Sequence, residues 1–227
     1  MPGGETDPAA VRVGAARLPP KLDVTPPLIR RLGRTEYLPT WEAMRAFTAA
    51  RTAQSRDELW CTEHSPVYTV GVAGRTEHLP REDSGIPVVR VDRGGQVTYH
   101  GPGQAVVYTL LDLRRRQLGV RELVLALEGA VLDFLRSCGV AGRGDRERPG
   151  VYVDGAKVAA LGLKIRQGCC YHGLSVNVDM DTRPFLAIDP CGHPGLPVVT
   201  LRELGVVAPV EQVADATAGH LIARLHS

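Results

Sequence analysis

"VYVDGAKVAALGLKI", residues 151–165, is the stretch that decides how the chain pairs with itself. Asp154-Gly155 stands between two strand-like runs. A two-residue turn of this kind needs positive φ at both central positions, which glycine adopts freely and aspartate tolerates. If Val153 pairs with Ala156 across the turn, Tyr152 pairs with Lys157. Strict alternation then puts Lys157 on one face with Ala159 and Leu161. An ammonium on such a face is either a solvated gatekeeper at a strand edge or a functional group.

Working outward, "AVVYTLLDL" and "PVVRVD" read as buried strands on either side of a glycine-rich loop, and "YHGLSVNVDM" as a further strand. "ELWCTEHSPVYTV" reads as a strand broken at Pro66. The spacing predicts a helix after Thr40, running through "WEAMRAFTAARTA", with Ala43, Met44, Phe47 and Ala50 on one face. A second helix is predicted over Val120–Cys138, with Val124, Leu127, Val131, Phe134 and Cys138 inward and Gly139 as the stop. A third covers Val210–Leu225, with Val210, Val213, Leu221 and Leu225 inward. Strands and helices mix without strict βαβ alternation, so the expected class is α+β: a mixed central sheet flanked by helices. Residues 1–27 hold Pro8, Pro19, Pro20, Pro26 and Pro27 with little periodicity and read as a disordered tail; 28–227 read as one domain.

The 227 residues carry a net charge of +2 and only 5% aromatics. That balance argues against a uniformly basic nucleic-acid binder. No run of 18 apolar residues and no apolar leader segment is present, so neither a membrane span nor a signal peptide is expected. The five cysteines (Cys61, Cys138, Cys169, Cys170 and Cys191) are odd in number and lack metal-ligand spacing. A disulfide framework and a metal site are both disfavoured, and a reducing cytoplasm fits. Cys138 and Cys61 read as buried structural thiols, and Cys169 and Cys170 as ordinary turn or strand residues. Cys191 stands in the aperiodic "IDPCGHPGLP", with His193 two residues on. It is a candidate nucleophile if a neighbour lowers its pKa, and otherwise a plain loop cysteine.

The glycine loop "RGGQVTYHGPGQ", residues 93–104, lacks the Gly-Lys-Ser/Thr of a phosphate loop and the spacing of a dinucleotide fingerprint. Its one histidine, His100, has no partner at metal-ligand spacing. What remains is a backbone wall for an apolar ligand or a pair of tight turns. Arg114, Arg115, Arg116 and Arg121 form a local basic cluster. They either steer acidic partners or solvate a helix start.

Together, "RGGQVTYHGPGQ", "LGVRELV", "PGVYVDGAKVAALGLKI", "YHGLSVNVDMD" and "FLAIDPCGHPG" resemble, in order, the lipoyl(octanoyl) transferases, over about Leu28 to Leu201. The resemblance implies the catalytic-domain fold of lipoate and biotin protein ligases. It also implies transfer of an octanoyl group from acyl carrier protein to a lysine of a lipoyl domain, without a cofactor. The implied acceptors are the lipoyl domains of 2-oxoacid dehydrogenase complexes and the H protein of glycine cleavage. Neither nucleic acid nor membrane is an implied partner. Cys191 matches the cysteine of the family's "PCG" motif, and Lys157 the lysine of its "K[IV]xxxG" motif. Acyl-chain contacts are implied for Arg93, Gly94, Gly95, Gln96, Val97, Thr98, Tyr99 and His100. The same holds for Ala160, Leu161 and Gly162, and for Gly173, Leu174 and Ser175. Ala159 and Ala160 depart from relatives that carry cysteine or serine there. Backbone amides near Leu161 and Gly162 are candidate oxyanion donors, and His100 and His172 candidate shapers of the site.

Overall fold

The computed structural model describes residues 25–80, 84–145, 147–189 and 195–226. Most of the sequence-predicted tail, residues 1–24, therefore lies outside the described residues, as do Cys191 and His193.

Strands β1 (Leu28–Thr35), β2 (Glu58–His64), β6 (Gln104–Asp112), β7 (Arg143–Gly144), β8 (Gly150–Val153), β9 (Ala156–Arg166) and β10 (Cys169–Asn177) form one sheet in the order β1-β2-β6-β10-β9-β8-β7. Only β1 and β2 run parallel in it. A small sheet holds β3 (Val67–Val70) between β4 (Val88–Arg90) and β5 (Val97–His100). Pro66 separates β2 from β3 because proline cannot continue a ladder. Its two flanking strands enter different sheets. The mixed sheet and its helices give the α+β class read from the sequence.

Helices α2 (Val120–Ser137) and α3 (Val210–His226) cover one face of the large sheet. Leu123, Leu127, Val131 and Phe134 of α2 and Val213 and Leu221 of α3 meet Leu111, Leu174 and Val176 there. Fully burying a side chain of this size contributes about 1.5–3 kcal/mol. On the opposite face, α1 (Tyr37–Ala49) sets Met44 against Trp60, Tyr108 and Tyr171.

Four details differ from the sequence-based expectations, the last being the face of Lys157. Helix α1 begins at Tyr37, and Thr40 lies inside it. The Thr40 hydroxyl donates back to the Glu36 carbonyl (2.8 Å) instead of capping an N–H group. The buried side is Tyr37, Thr40, Met44 and Thr48, with Ala43 and Ala50 exposed. Strand β4 is an edge strand rather than a buried one, leaving Val88 half exposed. Cys138 is exposed, because α2 ends at Ser137 and Gly139 (φ +76°) turns the chain away.

The hairpin is as the sequence predicts. Asp154 and Gly155 take φ +48° and +85°, and Tyr152 pairs with Lys157. The face of Lys157 is not as predicted. Val151 pairs with Ala159, but Tyr152 pairs with Lys157, so Val158 is an extra residue, a β-bulge. Val158 and Ala159 both enter the helix-covered core. Lys157 is thereby turned to the other side, beside Ala160, Ser175 and Asn177.

Candidate active site

The cross-strand register builds the floor of a pocket. Ala160 of β9 faces Ser175 of β10, which faces Val106 of β6. Gly162 likewise faces Gly173, which faces Tyr108. Glycines lower the floor, and no side chain fits at Gly173, where an added Cβ would lie 2.0 Å from the Val107 carbonyl oxygen. The segment Arg93–His100 forms the roof. A pocket of about 530 Å³, open solvent at its mouth included, lies between them. Of the residues picked out from the sequence, Arg93, Gly95, Gln96, Val97, Thr98, His100, Ala160, Leu161, Gly162, Gly173, Leu174 and Ser175 line it. Gly94 instead borders a neighbouring groove, and Tyr99 packs on Phe185 and Tyr68 in a separate cluster. Sequence reading missed Tyr37, Val106 and Tyr108 of the lining, and gave His172 only as a shaping residue.

The roof is held at its base. The Arg93 guanidinium is buried and donates to the Thr69 carbonyl (2.6 Å) and hydroxyl (2.8 Å) and to the Gly94 carbonyl (3.0 Å). Gly94 N–H donates to the Leu163 carbonyl (2.8 Å), tying the loop to β9. One residue earlier, Asp92 accepts from Trp41 Nε1 (3.0 Å), from the Tyr171 hydroxyl and from His172 Nε2 (3.0 Å). Burial works against its charge, but these three hydrogen bonds outweigh that and hold the carboxyl well below the usual range. His172 sits at φ +63°, rare for a non-glycine residue. Cys170 and Leu174, two residues either side of it, face the helices; the left-handed backbone turns its imidazole to the pocket side. Strain of this kind costs about 1–3 kcal/mol and clusters at functional sites.

The inner wall is aromatic and uncharged. Tyr37 stacks on His100 (centroids 5.8 Å apart, 11° between planes), and His64 Nε2 and the Tyr108 hydroxyl share a hydrogen bond of 2.6 Å. Burial lowers His64 to about 4 and His100 to about 3, and lowers His172 as well. Neutral imidazoles suit a wall against an apolar ligand.

Lys157 lies in an adjoining pocket of about 310 Å³ that shares Thr98, Ala160 and Ser175 with the first. It is only 4% exposed, with Nζ 5.2 Å from the centre of the Tyr152 ring. Its backbone N–H donates to the Pro197 carbonyl (2.8 Å), and its carbonyl accepts from Val199 N–H (3.1 Å). The chain that follows the "PCG" motif is thus pinned to the lysine's own strand. On the near side of the motif, Asp189 Oδ2 lies 3.2 Å from His78 Nδ1. Among the described cysteines, burial pushes Cys61 up to about 12 and Cys170 to about 11, which makes both poor nucleophiles near neutral pH.

Two of the four clustered arginines face inward. Arg115 and Arg116, with Arg51, bind the carboxylate of Asp57, which is 1% exposed. They brace β2 against the end of β6 and are neither a steering patch nor a solvated helix start. Among the described residues, no group of three histidine, cysteine, aspartate or glutamate side chains is placed to hold a metal ion, and no helix is long and apolar enough to cross a membrane.

The description of the lipoyl protein ligase A/B catalytic domain matches residues 36–222. The chain belongs to that family. It is 56% identical over 197 residues to an octanoyltransferase of Azoarcus sp. (strain BH72), covering 87% of both chains. It is 54% identical over 217 residues to an octanoyltransferase of Thiobacillus denitrificans (strain ATCC 25259 / T1), covering 94% of this chain and 99% of that one. The fold is similar to the bi-partite lipoate protein ligase of Thermoplasma acidophilum (TM-score 0.69, 16% identity, covering 88% of this chain and 84% of that one). It is also similar to the biotin protein ligase of Aquifex aeolicus (TM-score 0.56, 14% identity, covering 88% and 70%). These matches give the ligase-like catalytic-domain fold expected from the motifs.

Proposed function

We propose that the chain moves an octanoyl group from acyl carrier protein to the target lysine of lipoyl domains, through a thioester on Cys191. The observation that carries this reading is the junction of two pockets at Thr98, Ala160 and Ser175: the larger mostly apolar, the other holding a buried lysine. The octanoyl chain lies between the glycine loop and the β9–β10–β6 floor. Each buried methylene contributes about 0.8 kcal/mol, so most of the substrate's binding comes from this pocket.

In the first half-reaction, the Cys191 thiolate attacks the thioester carbonyl of the carrier. The carbon–sulfur bond to the carrier breaks, and the carrier thiol leaves with a proton. Lys157, as an ammonium, favours the thiolate by charge pairing and passes its proton to the departing carrier sulfur. In the second half, the neutral amine of the acceptor lysine attacks the acyl-enzyme. Lys157 takes the amine's proton and returns it to the Cys191 sulfur. The Leu161 N–H stabilises the oxyanion, while that of Gly162 turns to β10. The first step exchanges one thioester for another and the second converts a thioester into a more stable amide, so no ATP enters.

The pinning of Pro197 and Val199 to Lys157 supports this pairing, since Cys191 lies six residues before Pro197. The acceptors that fit are lipoyl domains of 2-oxoacid dehydrogenase complexes and the H protein of glycine cleavage, in the cytoplasm. The test is intact-mass analysis after mixing with octanoyl carrier protein in the absence of ATP. An octanoyl adduct is expected, absent in Cys191→Ala. Transfer that proceeds without an adduct, or only with ATP, refutes the reading.

A further inference from the structure

A second groove meets the acyl pocket at Gly95, Gln96, Leu161 and Gly162 and encloses about 840 Å³, open solvent included. It follows the edge of β9. The β8 ladder ends at Gly150↔Ala160, and the next residue back is Pro149, which has no N–H with which to continue it. Beyond that pair, β9 keeps β10 on one side. On the other side, Gly94 N–H donates to the Leu163 carbonyl. Backbone groups of alternate residues point the same way, so those of Leu161 turn towards the groove too. Val120 and Val124 of α2 form the far wall, and Val120 is 48% exposed.

The groove has a direction. Arg148, at its inner end, stacks over the Tyr152 ring at 5.5 Å, and Lys157 Nζ lies 5.2 Å from the centre of the same ring. A built Cβ on Gly150, next to the groove, would lie 3.3 Å from Lys157 Nζ. The Arg148–Pro149 end of the groove is therefore one residue from Gly150, which borders the lysine. The outer end opens at the N-terminus of α2, where Arg121 is exposed.

We propose that this groove is the subsite for the pantetheine arm of the acyl donor, a proposal that rests on the octanoyl-transfer reading. The arm is an extended chain with two amides, a geminal dimethyl group and, on the carrier, a terminal phosphodiester. The arm suits this edge as an added peptide strand does: an amide N–H meets the Leu161 carbonyl and leaves the Leu161 N–H for the oxyanion. Its two methyls suit Val120 and Val124, and its phosphodiester emerges beside Arg121 and the positive end of the α2 dipole. Threaded this way, the thioester reaches Lys157 and the acyl chain turns into the neighbouring pocket.

The test compares two octanoyl thioesters, one on pantetheine and one on N-acetylcysteamine, which lacks the outer amide and the dimethyl group. With the unmodified protein, kcat/KM for octanoyl pantetheine is expected to be at least about tenfold higher, roughly the worth of burying two methyl groups. In Val120→Trp, which fills the groove from a half-exposed position, the ratio is expected to fall to within about twofold of unity. A ratio near one in the unmodified protein overturns the subsite, and so does a ratio that Val120→Trp leaves intact. Failure to transfer from either thioester or from octanoyl carrier protein overturns the transfer reading itself.

Discussion

Lowering the pH from 7.5 to 5.5 is expected to destabilise the fold through its buried imidazoles. His64 and His100 are 0% and 8% exposed, and burial lowers them from 6.5 to about 4 and about 3. A histidine with a lowered pKa binds its proton in the unfolded chain before it does so in the native state. Stability is therefore full above pH 6.5, falls as the pH drops through 6.5, and levels off only at the native values. At pH 5.5 each such group costs about 1.4 kcal/mol, so the pair costs about 3 kcal/mol. His172, lowered in the same direction, adds to this. Asp92, Asp133, Asp145 and Asp181 are all held low, and matter only as the pH nears 4. Glu128, raised by burial, acts in the opposite sense, closer to its own titration. A loss of about 3 kcal/mol is a large part of the 5–15 kcal/mol that holds a typical domain. Urea unfolding at pH 7.5, 6.5 and 5.5 measures it, and calorimetry in buffers of different ionisation enthalpy counts about two to three protons taken up on unfolding at pH 5.5. His100→Asn should remove about one of them. A stability change under about 1 kcal/mol, or uptake of less than one proton, would show that these imidazoles are not held neutral by burial.

Three further outcomes are expected. Lys157→Ala should move the thiol-alkylation profile of Cys191 to higher pH and slow acylation, and an unchanged profile removes the charge-pairing role. Gly173→Ala should cost about 3 kcal/mol or more, because the new methyl meets backbone at 2.0 Å, whereas at Gly94 the nearest neighbour is 3.5 Å away and the fold should tolerate alanine. Equal melting temperatures for the two variants would show that the strand crossing at Gly173 is not what demands glycine. Asp92→Ala should cost about 3–5 kcal/mol by orphaning Trp41, Tyr171 and His172, while Asp92→Asn, which keeps an acceptor in place, should cost about half of that. A denaturant series giving the same loss for both variants contradicts the three-bond account.

Much of the fold is legible where local chemistry leaves one option. Asp154-Gly155 fixes a turn, the turn fixes a register, and Tyr152 duly faces Lys157. The apolar stripe of α2 likewise stands out, because its burial repeats at the helical period. The misses come from contacts that no local pattern encodes. Thr40 reads as a cap, but its hydroxyl turns back on Glu36, and so Tyr37 was placed outside the helix and outside the pocket. Arg115 and Arg116 read as surface charge because Asp57, their partner, is more than fifty residues away in the chain. His172 breaks strand alternation through its own backbone angle, which no local sequence pattern announces. Tyr108 was within reach of sequence reasoning, since it shares a strand face with Val106 and lies opposite Gly173.

The bulge at Val158 is a joint between two registers of the lysine's strand. Val158 packs among the helices and touches neither pocket. Losing that one codon in frame would leave the turn, the lysine and the strand composition unchanged. It would also restore strict two-residue alternation with Lys157 and Ala160 still on one face, since Tyr152 would keep Lys157 and Val151 would keep Ala159 as partners. The face of Lys157 is thus set from the Asp154-Gly155 turn and that of the pocket floor from β10, and the extra residue absorbs the mismatch between the two ladders.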